Sequence, residues 1–137
     1  MKYIYSDIEN DKLLHILYRF DDIASERNRI TPSSEFLCLS ALSYPKGHTF
    51  KAHQHIYHES LNETTIAQEC WVVISGSVKG FYYDLDGKLL STDIINERDL
   101  SVTLYGGHTF EILEDNTVVY EFKTGPYLGQ QKDKVFI

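Results

Sequence analysis

Gly47-His48-Thr49-Phe50-Lys51-Ala52-His53-Gln54-His55, then thirteen intervening residues, then Glu69-Cys70-Trp71-Val72-Val73-Ile74-Ser75-Gly76, is the stretch that decides the fold. His53 and His55 are two apart, so on an extended strand both imidazoles point to one face. Glu69 opens a near-continuous apolar run bounded by glycine, the pattern of a buried strand, and can bring a carboxylate to that face. Two imidazoles and a carboxylate converging from adjacent strands match the donor set of non-haem iron and related divalent sites.

Working outward, the second half of the chain reads as short strands. Val78 to Asp84 and Lys88 to Ile95 flank Asp86-Gly87, a strong hairpin signal. Ser101 to Tyr105, Thr109 to Leu113 and Thr117 to Lys123 follow, with Glu114-Asp115-Asn116 as a turn. Phe36 to Leu42 supplies a strand before the histidines, and Ile56 to Ala67 reads as a polar surface loop. Strands in this number and spacing predict a β-sandwich or barrel. The N-terminal part differs. After a short strand within residues 1–10, the residues Leu13, Leu14, Ile16, Leu17, Phe20, Ile23 and Ala24 recur at three and four. That spacing predicts an amphipathic helix from about Asn10, its cap with Asp11, to Arg27, packed outside the sheet. Residues 1–34 would then be a strand and helix packed on a barrel of residues 35–137, in one structural domain.

The totals agree. A chain of 137 residues has room for one core. Ten Tyr, seven Phe and three Pro favour strands. A net charge of −7 argues against nucleic acid or an anionic membrane as partner, while leaving room for a local basic pocket for one phosphate. No apolar run approaches a membrane span. The first residues turn acidic at once, unlike a signal peptide, and Cys38 and Cys70 lack CxxC spacing. Both points predict a cytoplasmic protein with reduced thiols.

The spacing from Gly47 through His53, His55 and Glu69 to Gly76 resembles the first motif of the cupin superfamily, with a longer insert before the glutamate than is usual. The second cupin motif ends in a histidine. In the matching stretch Tyr105-Gly106-Gly107-His108-Thr109-Phe110, Phe110 stands at that place and His108 lies two residues earlier. At unchanged register His108 would sit about 6–7 Å from the usual ligand position. A bulge at Gly106-Gly107 would re-aim it. The run from Gly106 through Tyr120-Glu121, Lys123-Thr124-Gly125-Pro126-Tyr127 and Asp133-Lys134, with Arg27-Asn28 upstream, resembles small single-domain cupins of bacterial surface-polysaccharide and nucleotide-sugar gene clusters. The resemblance implies an all-β double-stranded β-helix, the cupin jelly-roll barrel.

His53, His55, Glu69 and His108 are therefore the candidate ligands of a divalent transition metal such as Zn, Fe, Ni or Mn. Lys51, Trp71, Phe110 and Tyr120 are the candidates to line a substrate pocket. Glu111 and Glu121 need partners if they face inward. His58 is a spare candidate ligand if the insert folds over the site. No residue is singled out as catalytic. The leading expectation is a metal-binding cupin that binds or transforms a small polar, sugar-like molecule. The alternatives are a metal-free nucleotide-sugar isomerase or epimerase, with His and Tyr as acid and base, and a ligand-binding module without chemistry. The resemblance also implies a homodimer.

Overall fold

The computed structural model describes residues 1–6, 8–9, 11–60 and 63–137, and side chains other than those of residues 58–60 and 63–64. Its first two strands, β1 (Lys2–Tyr5) and β2 (Leu13–Leu17), pair with each other as a hairpin. The short edge strand β3 (Arg27–Arg29) then pairs with β4 (Leu37–Leu42). The stretch from Gly47 to Gly76 supplies β5 (His53–His55) and β8 (Glu69–Ser75), and between them lie β6 (Tyr57–Ser60) and β7 (Glu63–Ile66). The remainder is β9 (Ser77–Tyr83), β10 (Leu89–Asn96), β11 (Leu100–Thr103), β12 (Gly107–Ile112), β13 (Val118–Thr124), a single α-helical turn α1 (Gln130–Asp133) and β14 (Lys134–Phe136).

Two five-stranded sheets form the barrel, in the orders β10-β9-β12-β5-β14 and β11-β8-β13-β4-β3. The sequence reading placed the histidines and Glu69 on adjacent strands. They stand instead on different sheets and meet across the interior. Alternation along each strand builds that interior. β8 buries Glu69, Trp71 and Val73, and β12 buries His108, Phe110 and Ile112. Leu42, Trp71, Val73, Val78, Phe110 and Val119 belong to one apolar cluster that closes the barrel on one side of the polar groups. Gly87 adopts φ +83° at the expected β9–β10 hairpin.

The N-terminal helix is not formed. Leu13 to Leu17 is strand, residues Phe20–Asp22 make only a 3-10 turn, and Arg27–Arg29 is strand again. Pairing outweighed the three-and-four spacing. The Tyr3, Ile4 and Tyr5 backbone offers a ladder to Leu13, His15 and Ile16. Asp11 takes φ +60°, which turns the chain back instead of capping a helix. Farther on, the Asn28 carboxamide accepts from the Ala24 and Ser25 amides, holding a non-helical turn before β3. The expected cap Asn10 lies outside the described residues. The insert, read as irregular, is itself a hairpin: Tyr57 opposes Ile66 and Ser60 opposes Glu63. Among the described residues no helix is long and apolar enough to cross a membrane.

Candidate metal centre

β5 turns both histidines inward, and the pairing of β5 with β12 sets His108 directly opposite His53. No bulge interrupts β12 along β9. The adjustment sits just before the strand, where Gly106 adopts φ +83° and a Cβ would lie 2.5 Å from the Tyr83 carbonyl oxygen. Only glycine fits that approach. The strand therefore starts at Gly107, and His108, not Phe110, reaches the level of the β5 histidines. Phe110 lies one inward position away, with its ring centroid 4.6 Å from Trp71 and 5.1 Å from Phe50.

His53, His55, Glu69 and His108 are all buried, and one potential ligand atom from each lies within 4.8 Å of the others. His55 Nε2 is 3.2 Å from Glu69 Oε2, and His108 Nε2 is 3.4 Å from Glu69 Oε1. Trp71 donates its indole N–H to Glu69 Oε1 at 2.7 Å, which fixes the carboxylate. His53 Nδ1 lies 3.1 Å from the Lys51 carbonyl oxygen, so that nitrogen carries the proton and Nε2 keeps its lone pair. The Lys134 ammonium donates to that lone pair at 3.1 Å. His55 Nδ1 faces the Asp133 carbonyl oxygen at 3.2 Å and its Oδ2 at 3.3 Å, and Lys123 donates to the same Oδ2 at 3.0 Å.

The electrostatics follow. Burial, with Lys134 and His108 nearby, pushes the His53 imidazole down to about 3, so it is neutral. Burial also opposes charge on His55, but the Asp133 and Glu69 carboxylates outweigh it and raise the ring to about 9. Burial raises Glu69 in turn, and hydrogen bonding toward His108 and His55 more than reverses this, holding it well below the usual carboxylate range. Asp133 is held at about 2, burial being overcome by His55 and Lys123. His108 differs: it has no exposed surface, its Nδ1 has no hydrogen-bond partner among the described residues, and its Nε2 meets only the Glu69 carboxylate, at 3.4 Å. A buried imidazole left in that state is costly unless its lone pair goes to a ligand. Three imidazoles and one carboxylate fit a divalent ion of the Zn, Fe, Ni or Mn type.

The other sequence-predicted positions divide. Trp71 is buried and braces Glu69, and Phe110 is core. Lys51 is exposed, with Nζ 4.2 Å from the Phe136 ring centroid, outside the cluster. Tyr120 faces the other way by strand parity. It lines an apolar groove with Leu13, Ile16, Leu39 and Phe122, under the N-terminal hairpin. Tyr82 donates to Ser101. His48 stacks on Tyr44 at 4.1 Å, and His15 is exposed on β2. The side chain of His58 lies outside the described residues.

Beside the cluster opens a cavity of about 210 Å³, lined by Glu69 and by charged groups that carried no assigned role in the sequence reading, including Arg27, Arg29, Lys123 and Lys134. Glu121, also in the lining, receives two hydrogen bonds from Arg27, at 2.6 and 3.3 Å, the partner an inward carboxylate requires. The only earlier signal for these residues was the resemblance around Arg27-Asn28, Glu121, Lys123 and Asp133-Lys134.

Comparison with solved structures finds the same fold at low identity. An uncharacterized conserved protein with a double-stranded beta-helix domain from Klebsiella pneumoniae superposes with a TM-score of 0.63 at 12% identity, over 97% of this chain and 96% of that one. KdgF from Halomonas sp. gives 0.54 at 16% identity, over 72% and 76%. An oxalate decarboxylase variant from B. subtilis gives 0.60 at 18% identity, over 96% of this chain and 35% of that one, so this chain spans about a third of its length. No family model and no curated protein matches. The resemblance to the cupin superfamily thus holds at the level of the fold, a double-stranded β-helix.

Proposed function

We propose that His53, His55, Glu69 and His108 hold one divalent transition metal, and that this centre binds or transforms a small polar, sugar-like molecule entering through the adjoining cavity. The observation that carries this reading is His108: a wholly buried ring with no partner for Nδ1 among the described residues, its Nε2 facing a carboxylate at 3.4 Å beside two further imidazoles. A bound metal with an open position supplies Lewis-acid polarisation of a carbonyl or acidification of water. The chain's own groups do the rest. Asp133 holds His55 through Nδ1, Trp71 holds Glu69, and the Lys51 carbonyl sets the His53 tautomer, so each donor atom is aimed in advance. The apolar floor of Phe110, Trp71 and Val73 keeps bulk water from one side.

Titration with Co(II), followed by visible absorption, tests the reading. One equivalent should give bands of a nitrogen- and oxygen-ligated ion, and His53→Ala and His108→Ala should each lose them. An unchanged spectrum in both variants contradicts it. Free Cys38 and Cys70 support a reducing compartment. Exposed Tyr3, Ile4, Leu14 and Leu17 on the N-terminal hairpin support pairing of two chains there. Light scattering should return twice the chain mass, and a monomer mass removes the homodimer.

A further inference from the structure

The cavity beside the cluster is charged opposite to the chain as a whole. The protein carries a net charge of −7, yet Arg27, Arg29, Lys123 and Lys134 all line this one space. Two of the four are neutralised. Arg27 clamps Glu121 with two donors, and Lys123 donates to Asp133. The other two are not. Arg29 has no carboxylate partner among the described residues, and its guanidinium lies 5.7 Å from the Tyr127 ring centroid. Lys134 donates to the neutral His53 lone pair and makes no ion pair among the described residues; burial opposes its charge, and the Glu69, Asp133 and Glu121 carboxylates support it only from farther off. Arg29 stands on β3 and Lys134 on β14, the edge strands of the two sheets. Two cations from different sheets, neither ion-paired to a carboxylate among the described residues, therefore line one cavity next to the candidate ligands.

We propose that this cavity binds an oxyanion, a carboxylate or a phosphate, borne by a hydroxylated molecule the size of one sugar ring. Arg29 and Lys134 take the anion, since a guanidinium and an ammonium each suit oxyanion acceptors. Ser40, Thr31 and Gln130 in the lining supply hydroxyl and amide partners, and Tyr127 an aromatic face. The volume sets the size: 210 Å³ is the space of about seven waters. One ring with its anionic group fills it, and the nucleotide of a nucleotide sugar would lie outside. This rests on the reading of the cluster as the centre where that molecule is handled.

The test is calorimetric titration of the untagged, metal-loaded protein with glucuronate, glucose 1-phosphate and neutral glucose, with metal content measured on the same samples. At least one anion should bind, more weakly as salt rises from about 50 to about 500 mM, and glucose should give no heat. Binding of glucuronate alone marks the carboxylate as the recognised group, and binding of glucose 1-phosphate alone the phosphate. Arg29→Gln should weaken binding at least about tenfold with metal content unchanged, and Arg29→Lys should retain more of it. Arg29 is exposed on an edge strand, so both variants should fold, which circular dichroism checks. Failure of both anions, equal binding of glucose, or wild-type affinity in Arg29→Gln overturns the proposal. A fully metallated protein that ignores both anions removes only the anion site. Protein that takes up no metal yet binds an anion removes only the metal reading.

Discussion

His108, buried with no partner for Nδ1 among the described residues and only a 3.4 Å approach of Glu69 to Nε2, costs the metal-free fold about 1–3 kcal/mol of unmet hydrogen bonding. A side chain of similar size without those groups should relieve that cost. His108→Leu is therefore expected to abolish metal uptake while leaving the chelator-treated protein as stable as wild type, or more stable by about 1 kcal/mol, measured by urea denaturation. A metal-free variant destabilised by several kcal/mol would show that the imidazole is satisfied by something other than a metal. Lys134 bears on the same site from the other side. Its ammonium occupies the His53 Nε2 lone pair that a metal would need, and its charge repels a cation. Lys134→Met should raise metal affinity by about tenfold, read by competition with a chromophoric chelator, and a fall in affinity would refute the competition. The histidines and Glu69 were legible because the i, i+2 spacing fixes a face. Asp133 and Lys134 were not, because they lie in a one-turn helix and a three-residue strand at the end of the chain. Nothing in their local pattern shows that they fold back onto His55 and His53.

Among the elements, β12 shows what sequence spacing can and cannot decide. Its inward face of His108, Phe110 and Ile112 follows from parity. Its height against β5 depends on where the strand starts, which Gly106 sets from outside the strand. Gly106→Ala forces a side chain into φ +83° and against the Tyr83 carbonyl. The backbone conformation alone costs about 1–2 kcal/mol, and the variant should lose metal affinity as well as stability. Unchanged metal binding would mean that the register is set elsewhere. The N-terminal segment is the opposite case. Its three-and-four spacing is real, but residues 13–17 fit a five-residue strand equally well. The partner strand β1 decided the outcome, as long-range pairing does when a periodic run is short. Among the described residues, the insert hairpin β6–β7 forms a two-stranded sheet of its own. Replacing residues 58–65 by a tight turn should keep the fold and the metal, checked by thermal melting and metal content.

At the scale of the molecule, the barrel was readable from turns and alternation, because each strand carries its own signal. That His53, His55 and Glu69 converge was readable from the spacing of the motif, but not that they stand on different sheets. The charged cavity was legible only as room for a local basic pocket and through the resemblance around its residues, since these come from β3, β4, β8, β13, β14 and the segments between them, and only the closed barrel brings them together. That assembly has a pH signature. Asp133 stands at about 2 when folded, against an ordinary value of 3.8. A carboxylate lowered on folding contributes stability above about pH 4 and loses it as pH falls from there toward 2. The contribution is about 2 kcal/mol. Metal-free wild type should thus lose stability through that window more steeply than Asp133→Asn, in denaturant titrations at fixed pH, and parallel curves would deny Asp133 this role. The measurement that bears most directly on the whole account is elemental analysis of protein purified without a metal-affinity tag, beside His53→Ala purified identically. About one transition-metal ion per chain, absent from the variant, is the expected result. A wild type that carries none, and takes up none on incubation with Zn, Fe, Ni or Mn, would contradict a metal centre at His53, His55, Glu69 and His108.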